Sequence, residues 1–141
     1  YIDLLEKNYV IFRLPPYYTN ERKVLSKQNK IYFYDLGIRN ALINNFNSLN
    51  KRNDKGALWE NFLILERMKL NTYSCRYVKN YFWRTYDGTE VDYIEKYADS
   101  LDGYEFKWNK VKSGSRRWLE YPNATYKLVN IDNYKDFLKL N

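Results

Sequence analysis

The 141-residue chain has no histidine, one cysteine, three prolines and five glycines. Without histidine, every imidazole-dependent zinc site and every Ser-His-Asp triad is excluded. A single cysteine, Cys75, allows neither a disulfide framework nor a thiolate zinc cluster, and is most simply read as a small buried residue. No Gly-rich phosphate loop, internal repeat or low-complexity tract is present, so nucleotide binding through a P-loop is not expected. No apolar run approaches the roughly 18 residues of a membrane span, and the first residues lack a signal-peptide pattern, so a cytoplasmic location away from membranes is expected. Any catalysis must run on carboxylates, lysine, tyrosine or hydroxyls.

Aromatic residues and positive charge are abundant: sixteen tyrosines, seven phenylalanines, four tryptophans and a net charge of +7. The charge is uneven. Residues 1–55 hold ten basic against five acidic residues, and 56–141 hold fourteen against twelve. A basic, Tyr-rich segment suits a polyanion, because cations displace counterions from phosphates and rings stack on unpaired bases. A solvated basic surface that serves solubility accounts for the same charge. The tryptophans Trp59, Trp83, Trp108 and Trp118 each fall in or beside an apolar pattern and are read as core.

The opening segment, residues 1–8, carries Ile2, Leu4 and Leu5 as the stripe of a short helix and reads as cut from something longer. Two strand-like runs, residues 9–14 and 30–35, flank a polar, basic excursion and form a hairpin or wing, and residues 36–46 follow at helical spacing. The turn-rich stretch from Asn44 to Asp54 marks a boundary, giving one unit over 1–50 and a second over 51–141. The strongest helix spans 56–70, with Asp54 as its cap. A three-stranded meander follows, turning at Asp87-Gly88 and at residues 99–103, with strands over 77–85, 90–97 and 104–108. About fifteen residues then lead to a strand over 125–131, enough for a crossover onto a parallel neighbour with only a short helix. Asp132 caps a last helix over 134–140. The fold class is α/β (α+β), a mixed sheet of about four strands with helices packed on it. An all-antiparallel meander is the competing architecture.

Four polar residues stand where chemistry can be assembled: Glu60 on the strong helix, Asp92 on the second meander strand, and Glu105 and Lys107 on the third. Alternation points Glu105 and Lys107 to one face and Phe106 to the buried one, and Asp92 can meet Glu105 across the ladder. Converging carboxylates repel unless a cation lies between them, and an all-oxygen site suits Mg²⁺ or Mn²⁺. Lys107 could then orient a water or stabilise charge developing on a phosphodiester, with Glu60 completing the ion's shell. An exposed cross-strand ion pair among Asp92, Glu105 and Lys107 explains the same pattern. Arg84 has two roles open to it, a phosphate ligand or an ion-pair partner of Glu90. For Lys110, Lys112, Arg116 and Arg117 the alternatives are a nucleic-acid backbone and plain solvent.

Gly56-Ala-Leu-Trp-Glu-Asn-Phe62, Tyr81-Phe-Trp-Arg84, Glu90-Val-Asp92 and Glu105-Phe-Lys107 together resemble the C-terminal domain appended to predicted prokaryotic AAA-type ATPases, which is similar to the PD-(D/E)XK, restriction-endonuclease-like superfamily. Upstream, Tyr1-Ile-Asp-Leu-Leu-Glu6, Phe12-Arg-Leu-Pro15 and residues 30–37 look like that family's winged-helix remnant. The resemblance implies a restriction-endonuclease-like core over 51–141, metal-binding roles for Glu60, Asp92 and Glu105, a catalytic role for Lys107, and DNA as the partner. It also implies that an ATPase module belongs with this chain, which itself has no expected ATPase activity. Arg22, Lys23 and Lys27 in the wing are the further candidate DNA contacts. An inactive adaptor that retains the nuclease fold is the alternative function.

Overall fold

The computed structural model describes residues 1–19, 28–109, 114 and 116–139. Arg22, Lys23, Lys27, Lys110 and Lys112, named above as nucleic-acid contacts, lie outside the described residues. The architecture mixes helices with two sheets, as the α/β (α+β) reading expected. No helix of the described residues is long and apolar enough to cross a membrane.

Helix α1 (Ile2–Lys7) precedes strand β1 (Ile11–Leu14), which pairs antiparallel with β2 (Lys30–Phe33), Leu14 opposite Lys30. Pro15 and Pro16 end β1 because proline donates no ladder hydrogen bond. The chain then joins the next sheet: Phe82 N donates to Pro15 O at 3.0 Å, and Tyr17 N donates to Phe82 O at 2.7 Å. Asp35 caps α2 (Leu36–Leu42), its carboxylate accepting from Ile38 N at 2.9 Å.

The long helix α3 (Lys55–Tyr73) buries Trp59, Leu63, Ile64 and Leu65. Asn61 is buried in mid-helix, where its amide bonds both backbone groups of Phe33, at 2.9 Å each, and so fastens α3 to β2. Asp54 stands at the N-terminal boundary of α3 but does not cap it as expected. Its carboxylate is claimed by Arg52 at 2.8 Å and Arg39 at 2.8 Å, which hold its pKa well below the usual range. At the other end, Cys75 is exposed rather than buried. It sits beyond the C-terminal boundary in the left-handed conformation, φ 52°, which ends the helix.

Strands β3 (Lys79–Arg84), β4 (Glu90–Tyr97), β5 (Ser100–Phe106) and β6 (Ala124–Val129) form the main sheet in that order. The first three are antiparallel, and β6 lies parallel to β5 with Leu101 opposite Ala124 and Phe106 opposite Val129. The parallel strand excludes the all-antiparallel alternative. The β3–β4 turn places Gly88 at φ +87°, where side chains are strained. The next turn is tighter than expected. Tyr97 pairs with Ser100, so β5 starts at Ser100 and only Ala98 and Asp99 turn.

Among the described residues, the crossover to β6 contains one 3-10 turn, Trp118–Glu120. Trp118 is fully buried against Trp83, Val91, Ile94 and Leu101, covering one face of the sheet. A side chain on Gly103 would meet its indole at 2.5 Å, so the approach needs glycine. The other face packs on α3 and α4 (Tyr134–Phe137) through Tyr93, Phe106, Val129, Leu63 and Phe137, and the hairpin adds Phe12, Leu14 and Tyr32 to this same core. Asn133 rather than Asp132 precedes α4, and its amide is spent on Leu128 O and Asn130 N, both at 2.9 Å. The four tryptophans belong to the interior, Trp108 being only partly buried against the first core.

Candidate active site

Strand β4 is irregular where it matters. Tyr81 pairs with Ile94 and Trp83 with Val91, so two steps on β3 face three on β4. A bulge of this kind bends a strand and re-aims a side chain. The side chain re-aimed is Asp92. Its Oδ2 accepts from Phe106 N at 2.7 Å, beyond the last β4–β5 pair, Tyr93 with Tyr104. Asp92 therefore meets the end of β5 through the backbone of Phe106 rather than by squarely facing Glu105.

Asp92, Glu105 and Lys107 nevertheless line one cleft, with Gly88, Thr89, Glu90 and Gly114, and its volume is about 400 Å³. As alternation required, Phe106 enters the core while Glu105 and Lys107 share the opposite side, Lys107 Nζ lying 3.2 Å from Glu105 Oε1. Tyr126 of β6 donates its hydroxyl to Glu105 Oε2. Glu60 comes from α3, where its Oε1 accepts from Tyr32 OH and from Lys30 Nζ at 3.1 Å. Lys30 also holds Glu90 and lies 3.9 Å from Asp92 Oδ1.

Burial and the negative charge of Glu60 push the Asp92 carboxyl up to about 7, against the opposing pull of the Phe106 N–H and Lys30. Glu90 moves the other way: burial would raise it, but Lys30 and Arg84 outweigh burial and hold it low. Burial lowers the affinity of Lys30 for its proton, yet Glu60, Glu90 and Asp92 more than compensate. Lys107 is likewise held above its ordinary value, Glu105 overcoming burial.

The candidate cations divide. Arg84 takes its ion-pair role, with Nη2 at 2.8 Å from Glu90 Oε2. Arg117 pairs with Asp87 at 2.7 Å, and Arg116 is exposed. Glu90 lines the cleft, so its partner Arg84 stands beside it, whereas Arg117 lines a separate hollow with Trp83, Glu120, Tyr121 and Pro122. Lys30, Tyr32 and Tyr126 are not among the residues that the sequence points to, and Glu90 enters there only as a partner for Arg84. Alternation along residues 30–34 places Lys30 and Tyr32 on one face, but no local pattern joins them to Glu60, about thirty residues on.

As they stand, these side chains do not fit a divalent ion. Among the described residues, no three acidic side chains gather to hold one. An ammonium lies among Glu60, Glu90 and Asp92, and Glu105 is engaged through both oxygens, by Lys107 and Tyr126.

Comparison with known sequences adds a lineage. The family described as Domain of unknown function (DUF4143) matches residues 55–132, which includes Glu60, Asp92, Glu105 and Lys107. The chain belongs to the DUF4143 family. A second family, Domain of unknown function (DUF8612), matches residues 1–49. Two proteins described as uncharacterized, one from Mycobacterium bovis and one from Mycobacterium tuberculosis, are each 30% identical over 118 residues, 82% of this chain. This DUF4143 chain spans about a quarter of those relatives' length, 26% in each case. No solved structure matches it.

Proposed function

We propose that this chain is a nuclease-like, nucleic-acid-binding module of the PD-(D/E)XK kind that serves an AAA-type ATPase. The observation that carries the reading is the convergence of Asp92 from the bulged β4 with Glu105 and Lys107 of β5 on one open cleft, beside a parallel β6. Exposed cations support it: Lys107 lines the cleft, Arg84 holds Glu90 of its lining, and Arg117 pairs with Asp87 next to Gly88, their side chains being 45%, 55% and 61% exposed. Phosphodiester hydrolysis is the activity proposed for the cleft. A second reading, an adaptor that binds without cutting, is favoured by Lys30, whose ammonium already occupies the space among the carboxylates.

Fluorescence anisotropy with labelled duplex and single-stranded DNA over a salt series tests the binding. Affinity should fall steeply with salt, because each phosphate contact releases counterions. It should fall again when Arg84, Lys107 and Arg117 are changed together to alanine, or when Arg22, Lys23 and Lys27 are. Association that is weak, indifferent to salt and unaffected by either triple change would overturn the reading. Incubating the same DNA with Mg²⁺ then separates cutting from holding, since nicking by the native chain must be absent from Asp92→Ala.

A further inference from the structure

Lys30 opens β2, on the small sheet, yet its side chain serves the main one. Its ammonium contacts Glu60 of α3 at 3.1 Å, bonds Glu90 of β4 and lies 3.9 Å from Asp92 of β4. The Phe82 ring of β3 stands 5.2 Å away. With 18% of the side chain exposed, this is no surface pair held at the end of a waving stem. The arrangement uses what a lysine offers, a compact charge with three rotatable donors. Tyr32, two residues on and on the same face of β2, donates to the same Glu60 oxygen. The hairpin thus supplies Glu60 with both a charge and a hydrogen bond.

Glu90 and Asp92 of β4 line the cleft, Glu60 of α3 reaches the same ammonium from beside it, and the three carboxylates would repel one another where they are partly desolvated. Something positive must lie among them. The resemblance implies a divalent ion close by, but the chain provides the charge itself. We propose that Lys30 is an internal counter-cation that closes the acidic cleft to divalent ions, so that an ion reaches Asp92 and Glu60 only where Lys30 has withdrawn. The ammonium and an ion would repel each other while competing for the same oxygens. Because Lys30 is paired with Leu14 in the hairpin, its withdrawal is tied to movement of β2 or a rotamer change of its own stem. The inference rests on the nuclease-like reading only for the identity of the competing ion.

Titration calorimetry with Mn²⁺ on the native chain, Lys30→Met and Lys30→Gln tests it. The two variants should bind Mn²⁺ at least about tenfold more tightly than the native chain, within the usual range for coupled sites. Adding Asp92→Ala to Lys30→Met should abolish the gain. Thermal unfolding reads the same effect: Mn²⁺ should raise the Tm of the variants and leave that of the native chain nearly unmoved. Equal, measurable affinity in all three would overturn the counter-cation and leave the cleft an ion site. No binding in any would overturn both this inference and ion-dependent cutting. Reductive methylation of the native chain, followed by mass spectrometry, needs no variant. Lys30 should be labelled far more slowly than Lys69, whose side chain is 43% exposed, and equal rates would overturn the proposal.

Discussion

Asp92 and Glu95 lie three residues apart on β4, both buried, and their surroundings push them in opposite directions. Glu95 has no exposed surface and is surrounded by donors. Arg67 approaches through Nε at 2.7 Å and Nη2 at 3.1 Å, Arg76 through Nη1 at 2.5 Å, and Asn71 through Nδ2 at 2.7 Å. Arg67 is itself fixed, donating to Phe137 O at 2.5 Å and lying over the Phe137 ring. Burial raises the Glu95 pKa, but these hydrogen bonds overcome it and the net shift is downward. Asp92 has one backbone N–H, a more distant ammonium and two carboxylate neighbours, so burial wins and its pKa rises to about 7. Burial alone therefore decides nothing. A carboxylate ringed by guanidinium groups locks α3, β4 and α4 together, whereas one placed among other carboxylates is left ready for a ligand or a cation.

The same neutral exchange made at both positions breaks the comparison most sharply. Glu95→Gln leaves the buried Arg67 without its counter-charge, while Arg76 keeps Asp102 at 3.7 Å, and should cost about 3–5 kcal/mol, as removing one partner of a buried pair does. Arg67→Ala should fall in the same range. Asp92→Asn keeps an oxygen for Phe106 N and removes a charge that Glu60 and Glu90 oppose, so its stability should stay within about 1 kcal/mol of native. Urea unfolding of the variants measures all three. A Glu95→Gln chain as stable as Asp92→Asn would mean that the two carboxylates are equivalent after all.

Acid sharpens the contrast through the sign of the Glu95 shift. Its folded pKa is below the unfolded value of 4.5, so its stabilising share is complete above that value and is lost as pH falls through the folded pKa. The native chain should therefore lose stability below about pH 4.5, and the Glu95→Gln chain, already weakened, should show a shallower decline over the same interval. Denaturant midpoints at successive pH values give the two slopes. Parallel slopes would assign the acid limb to other groups.

Much of this was legible where residues act on near neighbours. The Asp87-Gly88 turn, the alternation of Glu105, Phe106 and Lys107, and the strand over 125–131 each state a local preference that the fold obeys. The meander brings Asp92 and Glu105 to one cleft, but the approach runs through Phe106 N rather than across the ladder. The bulge was not legible, because it is the partner strand, through Tyr81 and Trp83, that reveals the extra residue in β4. Lys30 was one of fifteen lysines, and its place among Glu60, Glu90 and Asp92 depends on contacts thirty and sixty residues away. Asp54 and Asp132 had the residue type of caps. Two arginines outcompete the helix for the first, and Asn133 takes the position of the second. Cys75 was misread because a small apolar residue suits a core, while its backbone serves the left-handed turn after α3.

The smallest change in stability, and the sharpest test of the cleft, is expected from Lys107→Arg. Lys107 pairs with Glu105 at 3.2 Å, and its side chain is 45% exposed, unlike the buried Arg67 that holds Glu95. An exposed pair of this kind contributes under about 1 kcal/mol, and arginine can make it as well as lysine can. Stability should thus be unchanged within about 0.5 kcal/mol, the usual spread for a surface substitution. Chemistry is less forgiving. A guanidinium spreads its charge over a wide planar fork and does not give up a proton, whereas an ammonium is compact and can. Any cleavage of DNA that the native chain shows with Mg²⁺ should therefore disappear in Lys107→Arg, while DNA affinity, which depends on charge, is retained. A gel-based nicking assay beside anisotropy separates the two properties. Cleavage at the native rate would reduce Lys107 to an exposed charge like Arg84 and Arg117, and would leave Asp92 as the residue of β4 and β5 whose environment sets the cleft apart from the lock at Glu95.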